Sequence, residues 1–437
     1  MEPVNADRFI DSLLRGKPQA SPSSWLNRIR AEALERANSL TLPTTRDEEW
    51  RFTDPSPLMK FSFQPAGGST KLTQSAIQQR FVIPEASSDR LVFIDGVYAP
   101  ELSTHAGHGH GILISNLAQG GSAHGAVMEA HLARHARFEN DVFCALNTAF
   151  LHDGAWVVIK NNTNYPTPIH LLFIATQKET VAYPRCLVVA EQGSRCTLVE
   201  EYVSLNEEVH FTNAVTEIVV GENARITHTR LQNESRNSFH IAHCTATLAK
   251  DAHYACDTVT LGARLSRYNL NVVQAAEGAR CTLDGLALIS GRQLADTHSF
   301  IDHTQPHGAS RQLHKCIVGG AAHAVFNGKI MVRPGAQLID SAQSSRNLLL
   351  SDKAHVDTKP QLEIFADDVK CAHGATVGQL DAEEVFYLRS RGLDEAEARS
   401  LLTYAFAAEI IDKIPVASLA RKLKQKVMEQ TQVREQA

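Results

Sequence analysis

Six short residue pairs recur at nearly constant spacing along the middle of this chain, and they constrain its fold more than any other feature. Each pair joins a residue that tolerates positive φ (Gly, Asn or Asp) to a small residue, and an alternating run of β-branched or apolar side chains follows. The second residues of successive pairs lie 30, 28, 27, 30 and 27 positions apart. This period is typical of stacked-coil proteins and argues against a conventional globular sheet. The pairs are Gly193-Ser194, Asn223-Ala224, Asp251-Ala252, Gly278-Ala279, Gly308-Ala309 and Gly335-Ala336.

One period has room for two strands and their turns, so each period predicts one flattened coil of a parallel β-helix. Crossovers between parallel strands are overwhelmingly right-handed, and we expect a right-handed coil. Because side chains alternate along a strand, the residue two positions after the small residue of each pair should lie on the same face of its strand in every coil. We therefore expect four such residues to face the interior of the coil, and the two ends of the stack to need caps or partners. The four are Cys196, Ile226, Cys281 and Leu338.

The pattern divides the chain into three regions. Residues 1–150 are predicted to be mainly helical with a few strands, residues 151–380 to form the β-helix, and residues 381–437 to be helical. In the last region, Asp394 with Glu397 resembles a capping box that opens a helix, and Pro415 ends that helix. The fold class predicted from the sequence is mainly β, with helical regions flanking a parallel β-helix.

Composition excludes several classes of protein. The 437 residues are 43% hydrophobic and 21% charged, which is typical of an ordered globular chain. A formal net charge of −5 without a basic stripe argues against a nucleic-acid binder. Because no apolar run reaches the length of a membrane span and no signal segment begins the chain, we expect a cytoplasmic protein without membrane association.

The sharpest candidate for chemistry is the pair Cys371 and His373. On a strand, residues two apart project from one face, and a thiolate with a neutral imidazole suits iron or zinc. Two ligands do not complete a tetrahedral site, so the spacing suggests half a site that another chain or the sulfides of a cluster would finish. The alternative is structural, with Cys371 packed inward and His373 satisfying a turn. His314 and Cys316 repeat the spacing inside the β-helix, where a structural role is expected.

Other polar groups give weaker signals. His240, His243 and Cys244 resemble a metal trio, but alternation should divide them between two faces of a strand. A histidine-rich stretch at positions 105, 108 and 110 suggests a loop. Asp367 and Asp368 could belong to a lyase or hydrolase, yet adjacent strand residues point to opposite faces and do not flank one bond. None of the common nucleophile, phosphate-loop, zinc-protease or dinucleotide motifs is present, so we expect no catalytic activity.

Several segments resemble the SufBD family of scaffold proteins for iron–sulfur cluster assembly, and the SufD type more than the SufB type. The resemblance covers nearly the whole chain, and its most specific segments are the last two. The segments are Arg46–Thr53, Asn147–Phe150 with Asp153-Gly154, Leu265–Leu270, Lys370–Gly378 and Phe386–Gly392.

This resemblance implies a non-catalytic scaffold that pairs with a SufB-like paralogue through its β-helix. It implies that the C-terminal helices dock a SufC-like ABC-type ATPase, which holds the ATPase activity. A nascent iron–sulfur cluster would form at the junction of the two β-helices, with His373 as the key histidine and Cys371 in the same motif. A reduced flavin accompanies some such complexes, although nothing in this sequence marks a site for it.

The ATPase contact is expected on the helix that begins near Asp394. Its candidate residues are Leu402, Phe406 and Ile410, with packing on the β-helix as the alternative role. Two other functions remain open at this point. One is a β-helix carbohydrate lyase or hydrolase, and the other is a stand-alone homodimeric adaptor.

Overall fold

The computed structural model describes residues 6–14, 21, 23–66, 72–105 and 111–432. The helices are α1 (Ala6–Leu13), α2 (Ser24–Ser39), α3 (Gln74–Phe81), α4 (Leu117–His131), α5 (Val142–Ala149), α6 (Ala382–Ser390), α7 (Glu395–Ile411) and α8 (Ala417–Gln432). The strands are β1 (Gln64–Pro65), β2 (Asp89–Ile94), β3 (Val97–Tyr98), β4 (Thr104–His105), β5 (Ile112–Asn116), β6 (Ala155–Ile159), β7 (Ile169–Ala175), β8 (Thr180–Ala182), β9 (Arg185–Ala190), β10 (Arg195–Ser204), β11 (Phe211–Val220), β12 (Arg225–Asn233), β13 (Phe239–Leu248), β14 (His253–Thr260), β15 (Leu265–Gln274), β16 (Arg280–Ile289), β17 (Leu294–His303), β18 (Ala309–Val318), β19 (His323–Val332), β20 (Ile339–Leu349), β21 (His355–Ile364) and β22 (Val369–Gly378).

The strands from β6 onward form two facing parallel sheets. The first sheet runs β21-β19-β17-β15-β13-β11-β9-β6, and the second runs β22-β20-β18-β16-β14-β12-β10-β7. Each coil therefore gives one strand to each sheet, and eight coils stack from β6–β7 to β21–β22. This arrangement confirms the predicted parallel β-helix with two strands in each period. The hand of the coil stays a prediction.

The turn before each strand of the second sheet explains the repeated pairs. In the sixth and seventh coils the positive φ is held by His307 and Leu338, in the turns before β18 and β20, and not by Gly308 or Gly335. The position predicted for the residue with positive φ is therefore wrong by one residue at Gly308 and by three residues at Gly335. It is confirmed in the four earlier coils, where the residues with positive φ are Gly193, Asn223, Asp251 and Gly278.

An interior core fills the space between the two sheets. Cys196, Ile226 and Cys281 belong to this core, which confirms their predicted direction. Leu338 does not belong to it: its side chain is 49% exposed, and Ser341 occupies the equivalent interior position. The error follows from the longer turn before β20, which shifts the alternation.

Helices cover the outer faces of both sheets. Helix α5 is entirely buried beneath α2 and packs with aromatic residues on the outside of the first sheet. Helices α7 and α8 pack on the outside of the second sheet. The predicted capping box is confirmed, because the Asp394 carboxylate accepts from the Glu397 backbone N–H and the Glu397 side chain accepts from that of Asp394.

The N-terminal region is continuous with the β-helix. Strand β2 pairs in parallel with β7, and β5 pairs antiparallel with β6, so each extends one of the two sheets. Helices α4 and α5 are separated by a non-helical segment between His131 and Val142. The division at residue 150 stays a prediction. In the described ranges, no helix has both the length and the apolar character needed to span a bilayer.

Candidate functional site

The last strand, β22, carries Cys371 and His373 on the face that points into the coil. In-register pairing aligns Cys371 with Ser341 and His373 with Gln343 on β20. In the same column of stacked residues, two coils before Ser341, lies Cys281, which belongs to the interior core. Cys371 packs against that core. Because residues two apart on a strand share a face, His373 also points inward.

The end of the stack leaves both side chains accessible. In the part of the chain that the structure describes, β22 pairs with β20 alone, and β21 pairs with β19 alone. No residue of β21 or β22 is fully buried, Cys371 is half-buried, and His373 is exposed. An unpaired strand edge presents free N–H and C=O groups to another chain. This end therefore has an open edge and an open interior that a second chain could cover.

The thiol of Cys371 is protonated at neutral pH. Burial raises the pKa of Cys371, and the nearby Asp340 carboxylate raises it further. Since the thiolate is the form that binds a metal, iron binding at Cys371 would have to release a proton. The imidazole of His373 is the second potential ligand on this face, and the remaining ligands of an iron centre would have to come from elsewhere.

A polar ladder lies directly below His373. Gln343 Nε2 donates to Gln312 Oε1 over 2.8 Å, and Gln312 Nε2 donates to Ser299 Oγ over 2.8 Å. Gly328 makes room for this ladder, because a Cβ there would lie 2.0 Å from Gln343 Nε2. Among the described residues, Gln343 Oε1 is buried without a hydrogen-bond partner. The coil beneath His373 is thus polar and fixed in position.

Comparison with known proteins adds the family to this geometry. The family described as "SUF system FeS cluster assembly, SufBD core domain" matches residues 173–406, and the "SufBD protein N-terminal region" matches residues 15–171. The chain belongs to the SufBD family. Its resemblance to that family, predicted from sequence segments, is confirmed.

Three relatives show how the SufBD match extends along the chain. An iron–sulfur cluster assembly SufBD family protein of Synechocystis is 46% identical over 409 residues, which cover 91% of this chain and 89% of that protein. The iron–sulfur cluster assembly protein SufD of Escherichia coli is 34% identical, over 92% of this chain and 95% of the relative. The chloroplastic protein ABCI7 of Arabidopsis thaliana is 33% identical, over 94% of this chain and 86% of the relative. Membership of this family links the chain to iron–sulfur cluster assembly.

The residues expected to contact an ATPase do not form one exposed stripe. Ile410 is completely buried among the residues that join α7 to the second sheet, so its side chain is not accessible to a partner. Phe406 is half-buried, and the Lys315 ammonium lies 4.1 Å from the centre of its ring. Leu402 is half-buried as well. Burial of Ile410 agrees with the alternative role, in which this helix covers the β-helix.

Two aromatic residues of α6 form an exposed surface that sequence reasoning missed. The side chains of Phe386 and Tyr387 are 73% and 55% exposed, and Leu401 on α7 is 41% exposed. The Arg391 guanidinium lies 5.3 Å from the centre of the Tyr387 ring. The segment Phe386–Gly392 had carried part of the family resemblance, but its pattern did not indicate which side chains are exposed.

The weaker candidate clusters are separated or belong to structure. His240 and Cys244 point into the coil while His243 lies on the outer face near Asp141, which confirms the predicted division. His314 is buried and stacks on Phe326 with ring centres 4.5 Å apart. Asp367 and Asp368 lie in the exposed turn between β21 and β22, and not in a strand as assumed. Positions 108 and 110 of the histidine-rich stretch fall outside the described residues.

Two of the family segments meet at a cavity on the outer face of the first sheet. The cavity has a volume of about 750 Å³ and is lined by Trp50 and Arg267, among others. The Arg267 guanidinium lies 4.0 Å from the centre of the Trp50 ring and donates to Asp296 over 2.5 Å. His298 joins the same group, 3.0 Å from Asp296 and 3.2 Å from Glu49. These contacts fix the N-terminal segment to the β-helix.

Proposed function

We propose that this chain is the SufD-type scaffold subunit of an iron–sulfur cluster assembly complex. Its open end would stack against a SufB-like sister chain, and a nascent cluster would form between the two, with His373 and Cys371 as this chain's ligands. The observation that carries the proposal is the position of His373: it faces the interior of the coil, yet it lies on the last strand, where a second chain can reach it.

The open end supports a partner of similar architecture. Stacking a further coil on β21 and β22 would pair their free edges and bury apolar side chains that are now accessible, such as Ile364 and Val377. Ile364 is 38% exposed and Val377 is 47% exposed. A second copy of this chain could occupy the same end when the sister chain is absent.

The cluster role is tested by co-expressing the chain with its SufB-like and SufC-like neighbours and purifying the complex without oxygen. We expect His373→Ala to abolish acquisition of iron and sulfide while the complex still assembles. Cys371→Ser should reduce cluster yield if the thiol is a ligand. The matched control is Thr376→Ala, on the outer face of the same strand. Full cluster yield from His373→Ala would refute the assignment.

The ATPase would dock on α6 and the start of α7. Large apolar side chains that are exposed beside arginines are typical of protein–protein interaction surfaces. We therefore assign the contact to Phe386, Tyr387 and Leu401, with the half-buried Leu402 and Phe406 at its border. Ile410 is excluded because it is already covered by the second sheet.

This docking surface is tested by the paired change Phe386→Asp and Leu401→Asp. We expect the ATPase to be lost from the purified complex while the SufB-like chain is retained. The control is Val97→Asp, which changes an equally accessible apolar residue at the opposite end of the stack, where Val97 is 49% exposed. Retention of the ATPase by the paired variant would contradict the assignment. On this proposal the chain is cytoplasmic and has no ATPase activity of its own. The reduced flavin stays a prediction without an assigned site.

A further inference from the structure

A second group of metal-ligating side chains lies on the outer face of the first sheet. The first residues of β19 and β21 are His323 and His355, and the register pairs them directly. Asp357 follows two residues after His355 and so lies on the same face. The alternating residues Ala324 and Val356 pack inward, which places the two histidines and the aspartate outside. Three potential ligands are thus brought together by the stacking of two coils.

The three ligand atoms lie close enough together to reach one metal ion. Asp357 Oδ2 lies 2.7 Å from His323 Nε2 and 3.2 Å from His355 Nε2, and the group offers three ligand atoms within 4.8 Å of one another. Ligands at roughly 2.1 Å from a tetrahedral ion lie about 3.4 Å from each other. Small side-chain rotations therefore suffice to admit an ion.

The surroundings also suit a cation. The side chains of His323 and Asp357 are 26% and 24% exposed, and that of His355 is 65% exposed, so water can complete the coordination. In the described ranges, Asp357 forms ion pairs with these two histidines alone. The buried group of His240 and Glu234 differs, because the Arg230 guanidinium contacts His240 and would repel a metal.

We propose that His323, His355 and Asp357 bind one divalent transition-metal ion of the borderline class, such as Zn²⁺, Co²⁺ or Fe²⁺. Two imidazoles and one carboxylate form a ligand set that these ions favour, with open positions for water or a further ligand. Mg²⁺ and Ca²⁺ prefer sites made of oxygen ligands, so this set selects against them. The site is separate from Cys371 and His373, which lie on the inner face of the other sheet, and it does not depend on the cluster proposal.

The test is a Co²⁺ titration of the purified, tag-free and metal-stripped chain, followed by absorption spectroscopy and calorimetry. We expect a bound Co²⁺ with d–d bands and without thiolate-to-cobalt charge transfer, because the ligands are nitrogen and oxygen. Zn²⁺ should displace it, and excess Mg²⁺ should not. His355→Ala and Asp357→Asn should each weaken this binding roughly tenfold or more.

Two matched controls separate this site from the other histidines. His105→Ala removes a residue of the other histidine-rich stretch, and His373→Ala removes the candidate cluster ligand. Both variants should keep the d–d signal, so failure of the cluster proposal and failure of this one are distinguishable. The proposal is overturned by absence of Co²⁺ binding, by unchanged binding in His355→Ala and Asp357→Asn, by loss of the signal in either control, or by displacement with Mg²⁺.

Discussion

Glu217 fixes the segment after α4 to the β-helix, and its replacement by glutamine should release that segment. One carboxylate oxygen accepts from the backbone N–H of Ala133 over 2.8 Å, and the other accepts from those of His135 and Ala136 over 2.9 and 3.0 Å. Arg185 Nη2 donates to the same carboxylate over 2.6 Å, and neither side chain of the ion pair is exposed. Glu217 therefore holds three amides and one buried cation.

The size of the effect follows from these contacts. Removing one partner of a buried ion pair costs about 3–5 kcal/mol, because the remaining charge has no counter-ion. Hydrogen bonds to a charged acceptor are worth about 1.5–3 kcal/mol, against about 0.5–1.5 for a neutral acceptor. An amide that keeps the neutral oxygen of glutamine as its acceptor should therefore lose about 1.4 kcal/mol of protection, which is roughly a tenfold faster exchange with solvent. Glu217→Gln keeps the shape of the side chain, but its NH2 group cannot accept a hydrogen bond, so the amide or amides that faced that oxygen lose their acceptor and should exchange faster still.

Hydrogen–deuterium exchange of the peptide covering residues 132–137 measures this directly. Asp340→Asn is the matched control, because the Asp340–Arg311 pair is about half exposed on both sides, and exposed pairs contribute about 0–1 kcal/mol. The control should leave exchange in residues 132–137 unchanged. If Glu217→Gln alters that exchange by less than about threefold, the reasoning from charge-assisted hydrogen bonds is wrong.

The pH dependence of this contact has a definite sign. Burial alone would raise the pKa of Glu217, but Arg185 and the backbone N–H groups outweigh it and lower the pKa below the usual value. The contribution of Glu217 to the stability of the fold is therefore complete above the pKa of glutamate in the unfolded chain, and it is lost as pH falls through the lower pKa of the folded chain. The protection of residues 132–137, which is their exchange rate relative to the intrinsic rate of an unprotected amide at the same pH, should fall only on the acid side.

Three further predictions concern other parts of the molecule. Burial lowers the pKa of His298, but Asp296 and Glu49 outweigh burial and raise the pKa above its usual value. The contribution of His298 to the stability of the fold is therefore complete below the pKa of histidine in the unfolded chain and is lost as pH rises through the higher folded value. Proteolysis of the N-terminal segment should therefore accelerate at alkaline pH, and a wild-type pH profile in His298→Gln would contradict this. Ile410→Asp should lower the free energy of unfolding by more than about 3 kcal/mol and expose the C-terminal helices to protease. An unchanged digestion pattern would show that Ile410 does not hold these helices on the second sheet. Maleimide should modify Cys371 alone in the folded chain, because the other seven thiols are buried, and mass spectrometry showing a second modified cysteine would contradict that burial.

Much of the fold could be predicted because its determinants are local. The capping box at Asp394 depends on residues three apart, and the alternation of β-branched residues marks each strand. The register failed where a non-glycine residue took the left-handed conformation. His307 and Leu338 occupy positions at which the sequence pattern expects glycine, so the pattern selected Gly308 and Gly335 instead.

The sites were harder to predict because they depend on contacts between coils. Helix α7 has apolar residues on more than one side, and only the position of the second sheet determines that Ile410 is buried while Leu401 is exposed. His323 and His355 are 32 residues apart, a separation longer than the 27–30 residue period of the sequence, so no periodicity indicated that they pair. In contrast, Cys371 and His373 lie two residues apart on one strand, and their shared face followed from alternation alone.

The interior of the stack is polar at the end that carries His373. In the early coils apolar residues such as Val188 and Leu198 lie beside a buried charged group that includes Glu200, Arg230 and His240, and the later coils contain the hydrogen-bonded pairs Gln312–Gln343 and Ser310–Ser341. The next position in each of these two columns is His373 and Cys371, respectively. An apolar open end would expose a large hydrophobic surface whenever a partner leaves, and such surfaces aggregate. A polar interior lowers that cost and also places hydrogen-bonding groups beside the two candidate ligands, which is the environment that the proposed cluster site requires.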